Sequence, residues 1–274
     1  MNARPRRIRL RWILEGFMIV AAVVYIYPAL FVLNNAVKPE AEIKLHPISP
    51  PRTMTVANFG KAWTEMHFLS TLANTATITV FGVAGIILVS SMAAWKLART
   101  FGRLSWLLYM LFAFALVIPF QIVMVPIVTL ATDLRLSTIW GIIPMYWGLG
   151  CPLAVFMYHG FVKGVPRELE EAASIDGAGQ VFVFFRVVFP LLKPITATIL
   201  ILDALWLWND FLLPLIVVKA GTLQLEQLHF YGMFLREYGP SAASLILSAT
   251  PIIILYLVLQ KYIIKGIAAG AVKG

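Results

Sequence analysis

Long apolar stretches alternate with short polar ones along the chain, and six of the apolar stretches carry almost no Asp, Glu, Lys or Arg. They cover residues 14–37, 73–95, 105–131, 138–162, 194–218 and 244–262. Each is long enough to cross a hydrocarbon core of about 30 Å, which takes about 20 helical residues. A helix satisfies its backbone polar groups internally, so the pattern predicts an all-α polytopic membrane protein with six transmembrane helices in one domain, 1–274. The short connection 132–137 predicts an antiparallel hairpin of the third and fourth helices. The connection 38–72 turns amphipathic around Phe59, Trp63 and Phe68, which predicts a segment lying along a membrane face. In 219–243, "LEQLHFYGMFLREYG" predicts a short amphipathic helix.

Composition agrees. The chain is 60% hydrophobic and 13% charged, with a mean hydropathy of +0.85, outside the range of soluble globular domains. Arg4, Arg6, Arg7, Arg9 and Arg11 precede the first apolar stretch, but no small-residue cleavage site follows "YIYPALFVLNNAVKP", so that helix is expected to be retained. The N-terminus, the loops near 96–104 and 163–193, and the tail from 261 hold 15 of the 22 basic residues. By the positive-inside rule these segments, and both termini, are expected in the cytoplasm. Basic loops beside an anionic leaflet account for the net charge of +9 without nucleic acid. Cys151 is the single cysteine and the four histidines are scattered, which argues against disulfide, metal and redox chemistry.

Polar residues inside membrane helices are costly and usually face other helices or a water-filled path. Asn34, Asn35, Asn74, Thr75, Thr77, Thr79, Gln121, Asp203, Asn209 and Asp210 are such residues. Asp203 and Asp210 are seven positions apart, nearly the same helix face at about 100° per residue. They are candidates for a translocation path, or for hydrogen bonds that hold helices together.

The segment 163–193 is different in kind. Val165-Pro166 predicts a helix start. Glu168, Glu170 and Glu171 follow, near the positive end of the helix dipole. Leu169, Ala172, Ala173 and Ile175 make a shallow apolar surface, and Gly177 ends the helix or admits another backbone. Then "QVFVFFRVVFPLLKP" is apolar enough to pack beneath the bundle. A small, weakly apolar face with one or two acids would fit a partner's cleft, and a solvated loop helix would show the same residues.

The order Glu171-Ala172-Ala173, Gly177, then Val187, Phe189 and Pro190 resembles the coupling-loop signature of binding-protein-dependent ABC importer permeases, with Val and Phe in place of its Ile and Leu. "YPALFVLNNAVKPEAEI", "VPRELEEAASIDGAG", "WNDFLLPL" and "KGIAAGAVKG" extend the resemblance to the carbohydrate (maltose-type) inner-membrane branch. The resemblance implies a permease subunit of an ATP-driven bacterial inner-membrane importer of a sugar or oligosaccharide, working by alternating access. It implies a second homologous permease, two cytoplasmic ATPase subunits and an extracytoplasmic solute-binding protein. No G-x-x-x-x-G-K-[ST] loop occurs in the chain, so ATP is expected on the ATPase partners, with no cofactor and no enzymatic chemistry here.

By the same resemblance, Glu170, Glu171, Ala172, Ala173, Asp176, Gly177 and Pro190 dock the ATPase, and Ala269, Gly270, Lys273 and Gly274 contact it from the tail. Asp203, Trp206, Asn209 and Asp210 are the path candidates. Another small solute such as a glycerol phosphate or a polyamine is the alternative cargo. An ion-coupled secondary transporter, using Asp203 and Asp210, is the alternative class.

Overall fold

A computed structural model describes residues 4–219, 221–230 and 237–271, with side chains at all of these except 4–11, 13, 259 and 261–271. Among the described residues the secondary structure is helical, with no strand. The first elements are α1 (Arg4–Ala36), α2 (Glu40–Leu45), α3 (Ala57–Glu65), α4 (Phe68–Arg99), α5 (Arg103–Ala115), α6 (Phe120–Asp133) and α7 (Ile143–Val162). There follow α8 (Glu168–Ile175), α9 (Gln180–Val183), a π-helical turn (Phe184–Val188), α10 (Phe189–Leu191) and α11 (Lys193–Asn209). The last are α12 (Leu212–Val217), α13 (Leu223–Glu226), a 3-10 turn (Gln227–Phe230) and α14 (Tyr238–Ala271).

Three stretches can each cross a membrane alone: Leu14–Ala36 in α1, all of α4, and Tyr238–Val258 in α14. Two helix pairs qualify only together. Arg103–Ala115 and Phe120–Asp133 meet at 103°, and Gln180–Leu191 and Lys193–Asn209 at 79°. Among the described residues, length and composition support three to five crossings, so the six expected are not confirmed. The expected span 138–162 is α7, a single helix of 20 residues, whose Tyr, Trp, Gly, Pro and His content lowers its hydropathy below that of the other stretches. The expected continuous span 105–131 is broken at Pro119, which caps α6 in an extended conformation (φ −61°, ψ 139°). Proline lacks the N–H to continue the ladder and disfavours helix in the residue before it. The expected span 194–218 is broken as well, at Asp210 and Phe211 between α11 and α12.

Internal contacts divide the chain into two compact units, residues 1–68 with 227–249, and 69–226 with 250–274. In the first, Lys38 is fully buried. Its ammonium donates to the carbonyls of His46 (3.0 Å), Pro47 (3.4 Å) and Ser49, so the turn after α2 wraps around the charge. Asn58 donates to the carbonyls of Ala36 (2.9 Å) and Lys38 (2.7 Å), tying α3 to the end of α1. The amphipathic segment expected in 38–72 is α3, with the rings of Trp63 and Phe68 4.5 Å apart. A hydrogen bond to Glu237 raises the Lys61 ammonium above its usual value; the pair lies at 2.5 Å and is partly exposed, so it contributes little to stability.

The second unit packs by close approach of small residues, the device that lets membrane helices associate where water supplies no driving force. A side chain at Gly85 of α4 would meet the Trp147 indole at 2.0 Å, and one at Gly150 of α7 would meet Ile86 at 2.5 Å. Trp147 Nε1 donates to the Phe81 carbonyl at 3.0 Å. Gly82 leaves room for Leu207 of α11 in the same way. Tyr109 of α5 stacks on His159 of α7 with centroids 3.9 Å apart, so this histidine is a packed, buried ring.

Candidate functional site

The helix expected after Val165-Pro166 is α8, with Glu168, Glu170 and Glu171 in its first turn. Their negative charge complements the unpaired amides and the dipole there. It ends where expected. The Ala178 N–H donates to the Ala173 carbonyl (3.0 Å) and the Gly177 N–H to that of Ser174 (3.1 Å). Gly177 has φ +83°, the left-handed conformation that such a paired C-terminal cap requires. No residue of α8 is buried. Glu171, Ala172, Asp176 and Gly177 are exposed, Ala173 is half-buried, and the Ile175 side chain is 85% exposed.

Glu170 points elsewhere. Its carboxylate accepts Arg99 Nε at 2.8 Å and Nη2 at 2.7 Å on Oε1, and Trp95 Nε1 at 2.9 Å on Oε2. The ion pair is mostly enclosed, with side chains 14% and 13% exposed. Of the three first-turn acids, Glu170 therefore holds α8 to the end of α4. A cavity of about 310 Å³ lies beside this contact, lined by Trp95, Lys96, Arg99, Arg167, Glu170 and Glu171 among others. Pro190 is apart from it, exposed in α10, where it follows the π-helical turn.

The path candidates separate into two environments. Asp210 terminates α11 in an extended conformation. Its Oδ2 accepts the Tyr146 hydroxyl at 2.8 Å, and its Oδ1 the Leu212 N–H at 3.1 Å. Trp206 meets Tyr146 edge to face, with centroids 5.6 Å apart. Trp206 and Asp210 line a cavity of about 390 Å³ together with residues of the α5–α6 break and α7, including Phe120 and Pro152. Asp203 and Asn209 are not among its lining residues. Asn209 donates to the Leu205 carbonyl one turn back (2.8 Å) and is exposed. Asp203 is 4% exposed and its Oδ2 has no hydrogen-bond partner among the described residues. The shared face expected from seven-residue spacing is lost because the helix stops before Asp210.

Ala269 and Gly270 lie on the backbone of α14, which runs helical to Ala271; Lys273 and Gly274 lie outside the described residues. Sequence reasoning missed Trp95, Arg99 and Tyr146. Arg99 was legible only as one of the basic residues that orient the chain, and Tyr146 as one more aromatic in an apolar run. The partners of Trp95, Arg99 and Tyr146 are 75, 71 and 64 positions away, which no local pattern encodes.

Residues 85–269 match the family described as binding-protein-dependent transport system inner membrane component. A probable starch degradation products transport system permease of Thermoanaerobacterium thermosulfurigenes is 35% identical, over 96% of this chain and 97% of its own length. A multiple sugar-binding transport system permease of Streptococcus mutans is 35% identical over 93% and 94%. A melibiose/raffinose/stachyose import permease of Bacillus subtilis is 34% identical over 99% of both. The fold is shared with a chain in the crystal structure of a bacterial ABC transporter that imports the acidic polysaccharide alginate, with a TM-score of 0.83 and 21% identity over 96% of this chain and 99% of that one. With most of its length matched, the chain belongs to the family of inner-membrane components of binding-protein-dependent transport systems.

Proposed function

We propose that the chain is one of two permease subunits of an ATP-driven importer of sugars or oligosaccharides. Two ATPase subunits bind the ATP, and a solute-binding protein delivers cargo from outside. The carrying observation is the exposed face of α8, with Glu171, Ala172 and Asp176 free to meet a partner while Glu170 is engaged internally. The cargo class rests on the three sugar-transport relatives and on the cavity that Trp206 and Asp210 both line. The test is uptake by the reconstituted complex with ATP hydrolysis blocked and ion gradients intact. Uptake stops if the reading is right; continued uptake identifies an ion-coupled transporter.

On this reading α8 and both termini are cytoplasmic, as the basic residues require. Reporters fused after Thr132 and Gly221 are expected to read outside, and those after Gly102 and Gly179 inside. A reporter after Gly179 that reads outside overturns the docking assignment with the topology. The C-terminal residues Ala269, Gly270, Lys273 and Gly274 approach the ATPase pair. Deleting 268–274 is expected to lower transport while the protein still inserts, and unchanged transport removes the tail from the mechanism.

A further inference from the structure

We propose that the last turn of α4, through Trp95 and Arg99, receives the movement of α8, and that α4 carries it across the membrane to the segment 221–226. This rests on the reading of α8 as the ATPase-docking helix.

A helix moved by a partner can pull on the rest of the chain through its covalent connections or through its packing. Both covalent connections of α8 are poor transmitters. On the entry side, residues 163–167 form a turn with Pro166 between α7 and α8. On the exit side come the Gly177 cap, short α9, the π-helical turn, and a 79° bend before α11. Displacement applied through such joints is taken up by backbone rotation.

The packing route is tighter. Three residues at one helix end, Trp95, Lys96 and Arg99, gather both limbs of the loop. Arg99 holds Glu170 with two bonds, and its Nη2 also donates to the Val165 carbonyl at 2.8 Å. Trp95 holds the other carboxylate oxygen of Glu170 and lays its ring 5.3 Å from that of Phe184 on the return limb. Lys96 donates to Gln180 at 3.2 Å. In return, Arg167 Nη2 donates to the Arg99 carbonyl at 3.2 Å. A carboxylate with three charge-assisted or directed donors, mostly shielded from water, is a stiff contact.

The carrier is stiff too. α4 is 32 residues long and contains no proline. At its far end Asn74 donates to the Gly221 carbonyl (2.9 Å), and Thr75 Oγ1 accepts the Leu223 N–H (3.0 Å). From Thr75 to Arg99 the helix spans about 36 Å at 1.5 Å per residue. Between these ends, Gly82 and Gly85 hold it against Leu207 and Trp147, so its shift also reaches α11 and α7 near the cavity lined by Trp206. Arg99 and Trp95 are thus positioning residues: they act on transport through Glu170 and α4.

The experiment uses the assembled complex in lipid with Arg99→Gln, Trp95→Phe, Glu170→Gln and the double exchange Arg99→Glu with Glu170→Arg. ATPase recovery is expected to stay near wild type, because the exposed face of α8 is unchanged. Transport is expected to fall about tenfold or more in Arg99→Gln and Glu170→Gln, as removal of one partner of an enclosed pair predicts. ATP hydrolysed per solute moved should rise, and the double exchange should restore part of both. A spin-label distance between the segment 221–226 and the second permease subunit should respond to ATP in the wild type and stop responding in Arg99→Gln. Wild-type transport and an unchanged ATP-to-solute ratio in Arg99→Gln overturn the proposal, as does loss of the ATPase without rescue by the exchange. Failure of the wild-type complex to hold the ATPase would instead remove the docking reading itself.

Discussion

Glu171→Ala, Ala173→Trp and Gly177→Leu are expected to leave the protein in the membrane, weaken its hold on the ATPase, and release hydrolysis from dependence on loaded binding protein. Each acts by a different physical route. Glu171 is exposed in the isolated chain; enclosed against a basic residue of a partner, removal of such a charge costs about 2–5 kcal/mol. That lowers association by about 30-fold or more. Ala173 is half-buried and small, and an indole there would hold the helix away from a closed cleft. At Gly177 nothing lies within 4 Å of the place a side chain would occupy, so crowding is not the difficulty. Its φ of +83° is, at about 1–2 kcal/mol for a residue with a Cβ, and relief of that strain unwinds the cap that ends α8. Co-purification of the ATPase, then ATP turnover with and without loaded binding protein, measures both effects. Normal pull-down and transport in all three variants would falsify the docking role of α8.

Asp210 carries the second large effect. Asp210→Asn preserves shape but leaves only one side-chain oxygen to accept from both Tyr146 and the Leu212 N–H. One buried donor then goes unpaired, at about 1–3 kcal/mol, and the mouth of the cavity beside Trp206 rearranges. Transport is expected to change while the complex still assembles. Tyr146→Phe is expected to do the same more mildly, because it removes the donor and leaves Asp210 its bond to Leu212. Uptake assays beside size-exclusion profiles of the complex separate the outcomes. Loss of assembly with wild-type uptake by the residual complex assigns Asp210 to holding helices together.

Much of the frame was legible because its causes are local. A run of apolar residues without charge has few alternatives to a membrane helix, so α1, α4 and α14 fall where hydropathy puts them. The start and end of α8 were legible for the same reason: acids in a first turn and a glycine at a left-handed cap act within a few residues of one another. Breaks were less legible. Pro119 stops a helix while Pro28, Pro126, Pro152 and Pro251 sit inside theirs. Whether a proline breaks or merely bends a helix depends on which neighbours satisfy the freed carbonyls, and those neighbours are distant in sequence.

The sequence by itself determined that this chain is a helical membrane protein, which face of 168–177 is small and acidic, and to which family of transport subunits it belongs. Only the tertiary structure decided which acid does what. Glu170 and Glu171 are adjacent and chemically identical, yet one is clasped by Arg99 and Trp95 while the other is exposed. Asp203 and Asp210 were equivalent on a helical wheel, yet one is buried and the other lines a cavity beyond the helix end. The physical reason is that a side chain's role is set by the dielectric and the donors around it, and these come from residues that folding brings in from far along the chain.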